Sequence, residues 1–112
     1  MTECLFCRIV AGEIPSDRVA ENDQVLAFRD INPAAPQHIL IIPKAHIADS
    51  AADLDDPAVL GALFEMARQL ARGPEFERGW RLVTNVGPDG GQSVYHLHFH
   101  LLGGRRMSWP PG

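Results

Sequence analysis

Apolar and polar positions change period several times along the chain, and each change marks an element. Leu5, Phe6, Ile9 and Val10 recur at helical spacing, which predicts a short helix over residues 3–11, closed by Gly12 and Pro15. Residues 18–21 and 25–29 read as two short strands around an Asn22-Asp23 turn, a hairpin pattern. Pro33 and Pro36 exclude regular structure from the next stretch. Residues 38–42 are then an apolar run ended by Pro43, the pattern of a buried strand. Asp56-Pro57 has the form of a helix cap followed by proline at the first helical position. Val59, Leu60, Leu63, Phe64, Ala67, Leu70 and Ala71 carry that helix to Gly73-Pro74. Residues 80–86 alternate as a strand, and Gly87-Pro88-Asp89-Gly90-Gly91 is a turn. The last run, His96-Leu97-His98-Phe99-His100-Leu101-Leu102, alternates strictly. The expected fold is a single α+β domain over 1–112. It has about five antiparallel strands, one short and one long helix, and helices on one face.

The last run carries the chemistry. Read as a strand, it puts Leu97, Phe99 and Leu101 on one face and three imidazoles on the other, neighbours about 7 Å apart. Five of the 112 residues are His, so such a triplet arises by composition in about one chain in a hundred. Three readings compete: a polar strand face, a metal site and catalysis, since neutral imidazole is both the commonest metal ligand and the side chain that titrates near neutral pH.

Bulk properties narrow the classes. One domain's core fits this length. The net charge of −4 argues against a broad nucleic-acid or anionic-membrane surface. No apolar run approaches the length of a membrane span. Met1-Thr2-Glu3-Cys4 lacks the basic and apolar regions of a secretory signal, which makes the cytoplasm the expected compartment and a Cys4–Cys7 disulfide unexpected there.

The alternating triplet resembles the signature of the histidine triad (HIT) superfamily. Phe28-Arg29-Asp30-Ile31-Asn32-Pro33 and His38-Ile39-Leu40-Ile41-Ile42-Pro43-Lys44 resemble its central blocks. Gly90-Gly91-Gln92-Ser93-Val94-Tyr95 before the triad and Trp109-Pro110-Pro111-Gly112 at the end resemble the nucleotide-binding (Hint) branch, bacterial type. The resemblance runs from Leu5 to Gly112.

It implies hydrolysis of purine nucleoside phosphoramidates, AMP or GMP joined to an amine, through a covalent nucleotidyl-histidine. It also implies a homodimer with a continuous ten-stranded sheet. The Trp-Pro-Pro-Gly ending disfavours the alternative dinucleoside polyphosphate hydrolase. A nucleotide-binding interaction module with little turnover is the reading from another class.

By the same resemblance His98 is the nucleophile, His100 its phosphate-side partner, and His38 a pocket residue that orients it, with Ser93 a further catalytic donor. Gly91, Gln92 and Ser93 would supply donors to the phosphate, and Asn85 would face it. Asp30 would accept the ribose hydroxyls. Leu5, Phe6, Ile9, Phe28 and Ile31 would enclose the purine, and Trp109 would reach the partner subunit's site. The resemblance implies catalysis without a cofactor. Cys4 and Cys7 share a helix face and, with His46 and His96, match the set through which some bacterial members hold structural zinc. Two buried, inert thiols are the competing reading.

Overall fold

A computed structural model describes residues 4–112; Glu3, the expected start of the first helix, lies outside them. Helix α1 (Leu5–Val10) precedes strands β1 (Arg18–Glu21), β2 (Val25–Arg29) and β3 (Gln37–Pro43). Helix α2 (Pro57–Leu70) leads to β4 (Trp80–Val83) and β5 (Phe99–Gly103). Two single-turn 3-10 segments, Ala51–Asp53 and Pro74–Phe76, flank α2. The sheet is antiparallel throughout, in the order β1-β2-β3-β5-β4.

Local chemistry explains the element ends. Cys4 Sγ caps α1 by accepting from the Cys7 N–H. Asp56 caps α2 from its Oδ1 to the Ala58 N–H, with Pro57 at the first helical position. Asn22 Oδ1 accepts from the N–H groups of Gln24 and Val25 and closes the β1–β2 turn.

The helices do not share one face. Alternation along β2 and β3 builds two apolar layers, one on each side of the sheet. Val25, Ala27, Ile39, Ile41, Leu97 and Leu101 pack with Leu63, Met66 and Ala67 of α2. Leu26, Phe28, Leu40 and Ile42 pack with Phe6 and Ile9 of α1. The expectation of helices on one face is corrected accordingly. Residues 39–42 are apolar at every position because both faces of β3 are covered.

Two strands are shorter than their patterns. β4 ends at Val83 rather than 86, and β5 begins at Phe99 rather than 96. Residues 96–98 leave the ladder for other partners. The Leu97 N–H donates to the Ala48 carbonyl at 3.0 Å, and Thr84 Oγ1 donates to the His98 carbonyl at 2.8 Å. Alternation survives this departure: Leu97 is fully buried toward α2, while His96 and His98 turn to the α1 side.

Candidate active site and metal centre

Phe6 of α1 lies edge-on to both His96 and His98, with ring centroids 5.8 and 5.1 Å away. The imidazole row is therefore roofed, and His96 and His98 are buried. An exposed polar strand face is ruled out by that burial. Beside α1 opens a cleft of about 870 Å³ whose lining includes Leu5, Phe6, Ile9, Phe28, Asp30, Ile31, Ser93, His98 and His100. One end is apolar and the other carries the imidazoles, a carboxylate and a hydroxyl, the usual composition of a small-molecule site.

Hydrogen bonds assign the tautomer of each imidazole. His98 Nδ1 lies 2.7 Å from the His96 carbonyl, which can only accept, so Nδ1 carries the proton and Nε2 keeps a lone pair. The Ala34 N–H donates to His38 Nδ1 at 2.9 Å, which puts that ring's proton on Nε2. His38 Nε2–H then donates to His100 Nδ1 at 2.9 Å, leaving the His100 proton on Nε2. His38 Nε2 also lies 3.4 Å from Asp30 Oδ2. The result is one imidazole with a free lone pair beside another with a free N–H, their centroids 5.0 Å apart.

Burial holds these rings neutral. It lowers His98 and His38 below the ordinary imidazole value, although Asp30 pulls His38 upward. It lowers His100 to about 4, helped by its neighbours His98 and His38. A stability prediction follows from the signs. Neutral His38 and His100 are favoured when folded, whereas the unfolded chain takes up protons below about pH 6.5. Stability from these two groups is thus present above pH 6.5 and is lost as pH falls toward 4. Thermal melts at pH 7 and 4.5 should show the loss, and His100→Asn should flatten the dependence; equal slopes in both proteins would contradict it.

The glycine-rich turn differs from expectation. Gly91 N–H donates to the Pro88 carbonyl and Gln92 N–H to the Gly87 carbonyl, each at 3.1 Å, so the turn closes on itself. Gly91 takes a positive φ of 83°, and a Cβ on Gly90 would collide with the Val86 carbonyl. Of the three expected donors, Ser93 is the one that lines the cleft. Gln92 is buried with its amide turned into the protein, so its expected place against the nucleotide is corrected. Asn85 is half-buried outside the cleft lining. Trp109 is 81% exposed and stands away from the cleft of its own chain. Ile31 sits at the open rim, 91% exposed.

The sequence pattern did not flag Ile14, Pro15, Ser16, Asp17, Asn32, Leu40 and Val94 as cleft residues. The resemblance implies the His96 carbonyl as the acceptor that fixes the His98 tautomer, and it stands there. The backbone of Ala34 and Pro43, which sets the tautomers of His38 and His96, was not flagged. A backbone carbonyl has no sequence signature.

The second cluster gathers Cys4 and Cys7 at the start of α1 with His46 and His96. Cys4 Sγ is 3.3 Å from His96 Nδ1, and Cys7 Sγ is 3.5 Å from His46 Nδ1 and 3.6 Å from His96 Nδ1. All four donor atoms lie within 4.8 Å of one another. A tetrahedral ion with bonds of about 2.0–2.3 Å separates its ligands by roughly 3.3–3.8 Å, so the spacing fits. The outer partners fit as well. His96 Nε2–H donates to the Pro43 carbonyl at 2.8 Å, and His46 Nε2–H to Asp49 Oδ1 at 2.7 Å. Both rings thereby aim an unprotonated Nδ1 at the thiols, the arrangement that metal-binding histidines use. The thiols are unequal. Cys7 is pushed up to about 11 by burial and by Cys4. At Cys4 burial acts upward but is outweighed by hydrogen bonds, led by the Cys7 N–H, and the net shift is downward.

Asp30, His38 and His100 also converge within metal-binding distance. There the Ala34 N–H occupies His38 Nδ1, so His38 Nε2 holds a proton rather than a lone pair. That group is a hydrogen-bonded relay.

A two-layered antiparallel sheet with an imidazole pair at a cleft defines a class, and comparison places the chain within it. The model of the HIT domain matches residues 11–107, and the chain belongs to the HIT family. It is 51% identical over 113 residues to the 14 kDa zinc-binding protein of Zea mays, covering 96% of this chain and 87% of that protein. It is 49% identical over 111 residues to adenylylsulfatase HINT1 of Arabidopsis thaliana, covering 96% of this chain and 76% of that one. The crystal structure of a HIT family hydrolase from Legionella pneumophila Philadelphia 1 superposes with a TM-score of 0.92 at 53% identity, covering 98% of this chain and all of that one. These relatives support a nucleotide hydrolase of HIT type.

Proposed function

We propose that this protein hydrolyses purine nucleoside 5′-phosphoramidates through a nucleotidyl group carried on His98. The observation that carries this reading is the pair of opposite tautomers at the cleft: a lone pair on His98 Nε2 beside an N–H on His100. A buried lone pair is a nucleophile for phosphorus, and a fixed N–H is a donor for the charge that builds on phosphoryl oxygen.

In the first step His98 Nε2 forms a bond to phosphorus, and the P–N bond to the amine breaks. The departing nitrogen takes up a proton. In the second step water attacks the same phosphorus, its proton replaces the one lost with the amine, and the nucleoside monophosphate leaves His98. The His96 carbonyl holds the Nδ1 proton throughout and stabilises the positive charge that the ring develops. His100 and Ser93 donate to the phosphate, and Asp30 accepts from the ribose. Asp30 is pre-set for that role by the Asn32 N–H on its Oδ1. Leu5, Phe6, Ile9, Phe28 and Ile31 enclose the base without reading its edge, which suits adenine and guanine alike.

The test is hydrolysis of adenosine 5′-phosphoramidate, guanosine 5′-phosphoramidate, adenylyl sulfate and a dinucleoside polyphosphate by the same preparation. Phosphoramidates should be cleaved with kcat/KM at least about tenfold above the others. A preference for the dinucleotide would transfer the reading to polyphosphate hydrolysis. Tight binding with no rate above buffer would make the protein a nucleotide-binding module.

The Cys4, Cys7, His46 and His96 cluster is proposed to hold a structural zinc ion, supported by its S2N2 donor set and outer partners. Zinc there would tie α1 to the segments after β3 and before β5, outside the chemical step.

A homodimer is proposed across β4. The opposite edge, β1, is bulged and charged, with Arg18 and Glu21 paired to each other and Glu21 to Lys44, features that blunt an edge. β4 carries no such guard. Trp80 on β4 and Phe64 on α2 are exposed, and Arg81 anchors the C-terminal tail by donating to the Ser108 carbonyl. Two such edges paired antiparallel would give ten strands. Sedimentation should return twice the 12.3 kDa chain mass; a monomer would exclude the dimer.

A further inference from the structure

Gln92 lies in the phosphate-side turn, yet its side chain points away from the cleft. Its Oε1 accepts from the Gly87 N–H at 3.0 Å. Its Nε2 donates to the Asp49 carbonyl at 2.7 Å and the Val94 carbonyl at 3.1 Å. One buried amide therefore joins three segments: the start of the turn, the residue after Ser93, and the loop following β3. The same Asp49 faces the Cys/His cluster, where its carboxylate accepts from His46 Nε2–H. Next to it, the Ala48 carbonyl accepts from the Leu97 N–H, between His96 and His98.

We propose that Gln92 is a positioning residue that locks the Ser93 turn to the metal-proximal loop, so that an ion in the Cys/His cluster strengthens the grip on the nucleotide's phosphate. This rests on the nucleotide reading of the cleft. The path is physical at each link. A metal on His46 Nδ1 fixes that ring and hence the Asp49 carboxylate. Asp49 fixes the backbone carbonyl on which the Gln92 amide hangs. Gln92 then fixes both ends of the segment that presents Ser93. The apolar end of the cleft stands outside this chain of contacts: Phe28 and Leu40 lie on the sheet, and Leu5, Phe6 and Ile9 lie on α1, which Cys4 and Cys7 tie to the cluster directly. The part of the effect that runs through Gln92 is accordingly specific to phosphate, whereas loosening of α1 acts on the base and so on AMP and adenosine alike.

Gln92 is suited to this role because it is neutral and two-sided. Methionine would fill the volume but leave two carbonyls and one N–H without partners. Glutamate would keep the bond from Gly87 but set a carboxylate against two carbonyls. Neither change removes a group that touches the ligand.

The experiment measures AMP and adenosine affinities for the full chain and for Gln92→Met, each with Zn²⁺ bound and after chelation. In the wild type, chelation should weaken AMP at least about fivefold more than it weakens adenosine, and AMP should tighten Zn²⁺ by the same factor as Zn²⁺ tightens AMP. Gln92→Met should lose a similar factor for AMP, keep its adenosine affinity with Zn²⁺ bound, and on chelation lose AMP and adenosine affinity to within about twofold of each other. Retained adenosine affinity also shows that the variant is folded; if Gln92→Met fails to fold, Gln92→Glu takes its place with the same expectation. Unchanged AMP affinity in the folded variant, or equal losses for AMP and adenosine on chelation of the wild type, overturns the proposal alone. A wild type that binds neither ligand overturns the nucleotide reading and the proposal with it.

Discussion

His98→Asn should lower phosphoramidate turnover by at least about 10³-fold while leaving AMP affinity within about threefold. Asparagine keeps a hydrogen-bonding side chain in the buried space beside Phe6, and its amide can still donate to the His96 carbonyl. What it lacks is the nitrogen lone pair aimed at the cleft. A residue that bound only the ground state would, when lost, raise KM and spare kcat; the nucleophile should show the opposite. The wild-type enzyme, denatured at alkaline pH during turnover, should carry a nucleotidyl group that His98→Asn lacks. His100→Asn should cost less, about ten- to a hundredfold, because it removes one donor to the phosphate and leaves the attacking nitrogen in place. Full turnover by His98→Asn would dismiss covalent catalysis on this ring, whatever the substrate proves to be.

The contrast between His98 and its two neighbours shows what a sequence reveals and what it withholds. Alternation alone put His96, His98 and His100 on one side and Leu97 and Leu101 on the other, and the side chains do part in that way. Alternation cannot say that the first two leave the strand ladder, because the competing partners are the Ala48 carbonyl and the Thr84 hydroxyl, distant in sequence. It cannot say that the imidazole side is roofed either. Leu5, Phe6, Ile9 and Val10 announce a short helix, but its face of the sheet is chosen by Leu26, Phe28, Leu40 and Ile42, which look the same in sequence as the positions facing α2. Strands covered on both sides carry no polar face by which to tell them apart. Gly90-Gly91-Gln92-Ser93 was legible as a turn beside the site. Which of its N–H groups remain for a ligand depends on bonds to Gly87 and Pro88 within the turn.

Removing the metal should have the largest effect on stability. As purified without chelator, the protein should hold close to one zinc per chain, and chelation should lower its melting temperature by about 15 °C. The size follows from linkage. An ion present at a thousand times its dissociation constant stabilises the folded state by about 4 kcal/mol, and each kcal/mol moves the melting point of a domain this size by roughly 4 °C. A bound ion would join Cys4 and Cys7 at the start of α1 to His46 after β3 and His96 before β5, a closure spanning 92 residues between Cys4 and His96. Cys7→Ser should melt at the chelated temperature and ignore chelator. Its melt should remain cooperative, unlike that of a zinc finger without metal, because the layer between α2 and the sheet contains none of the four ligands. The loss should concentrate in α1, whose Phe6 and Ile9 are its buried residues, and appear as faster amide exchange there before the sheet opens. Less than about a tenth of an equivalent of zinc, together with a melting point indifferent to chelator, would leave the four side chains as a hydrogen-bonded cluster and nothing more.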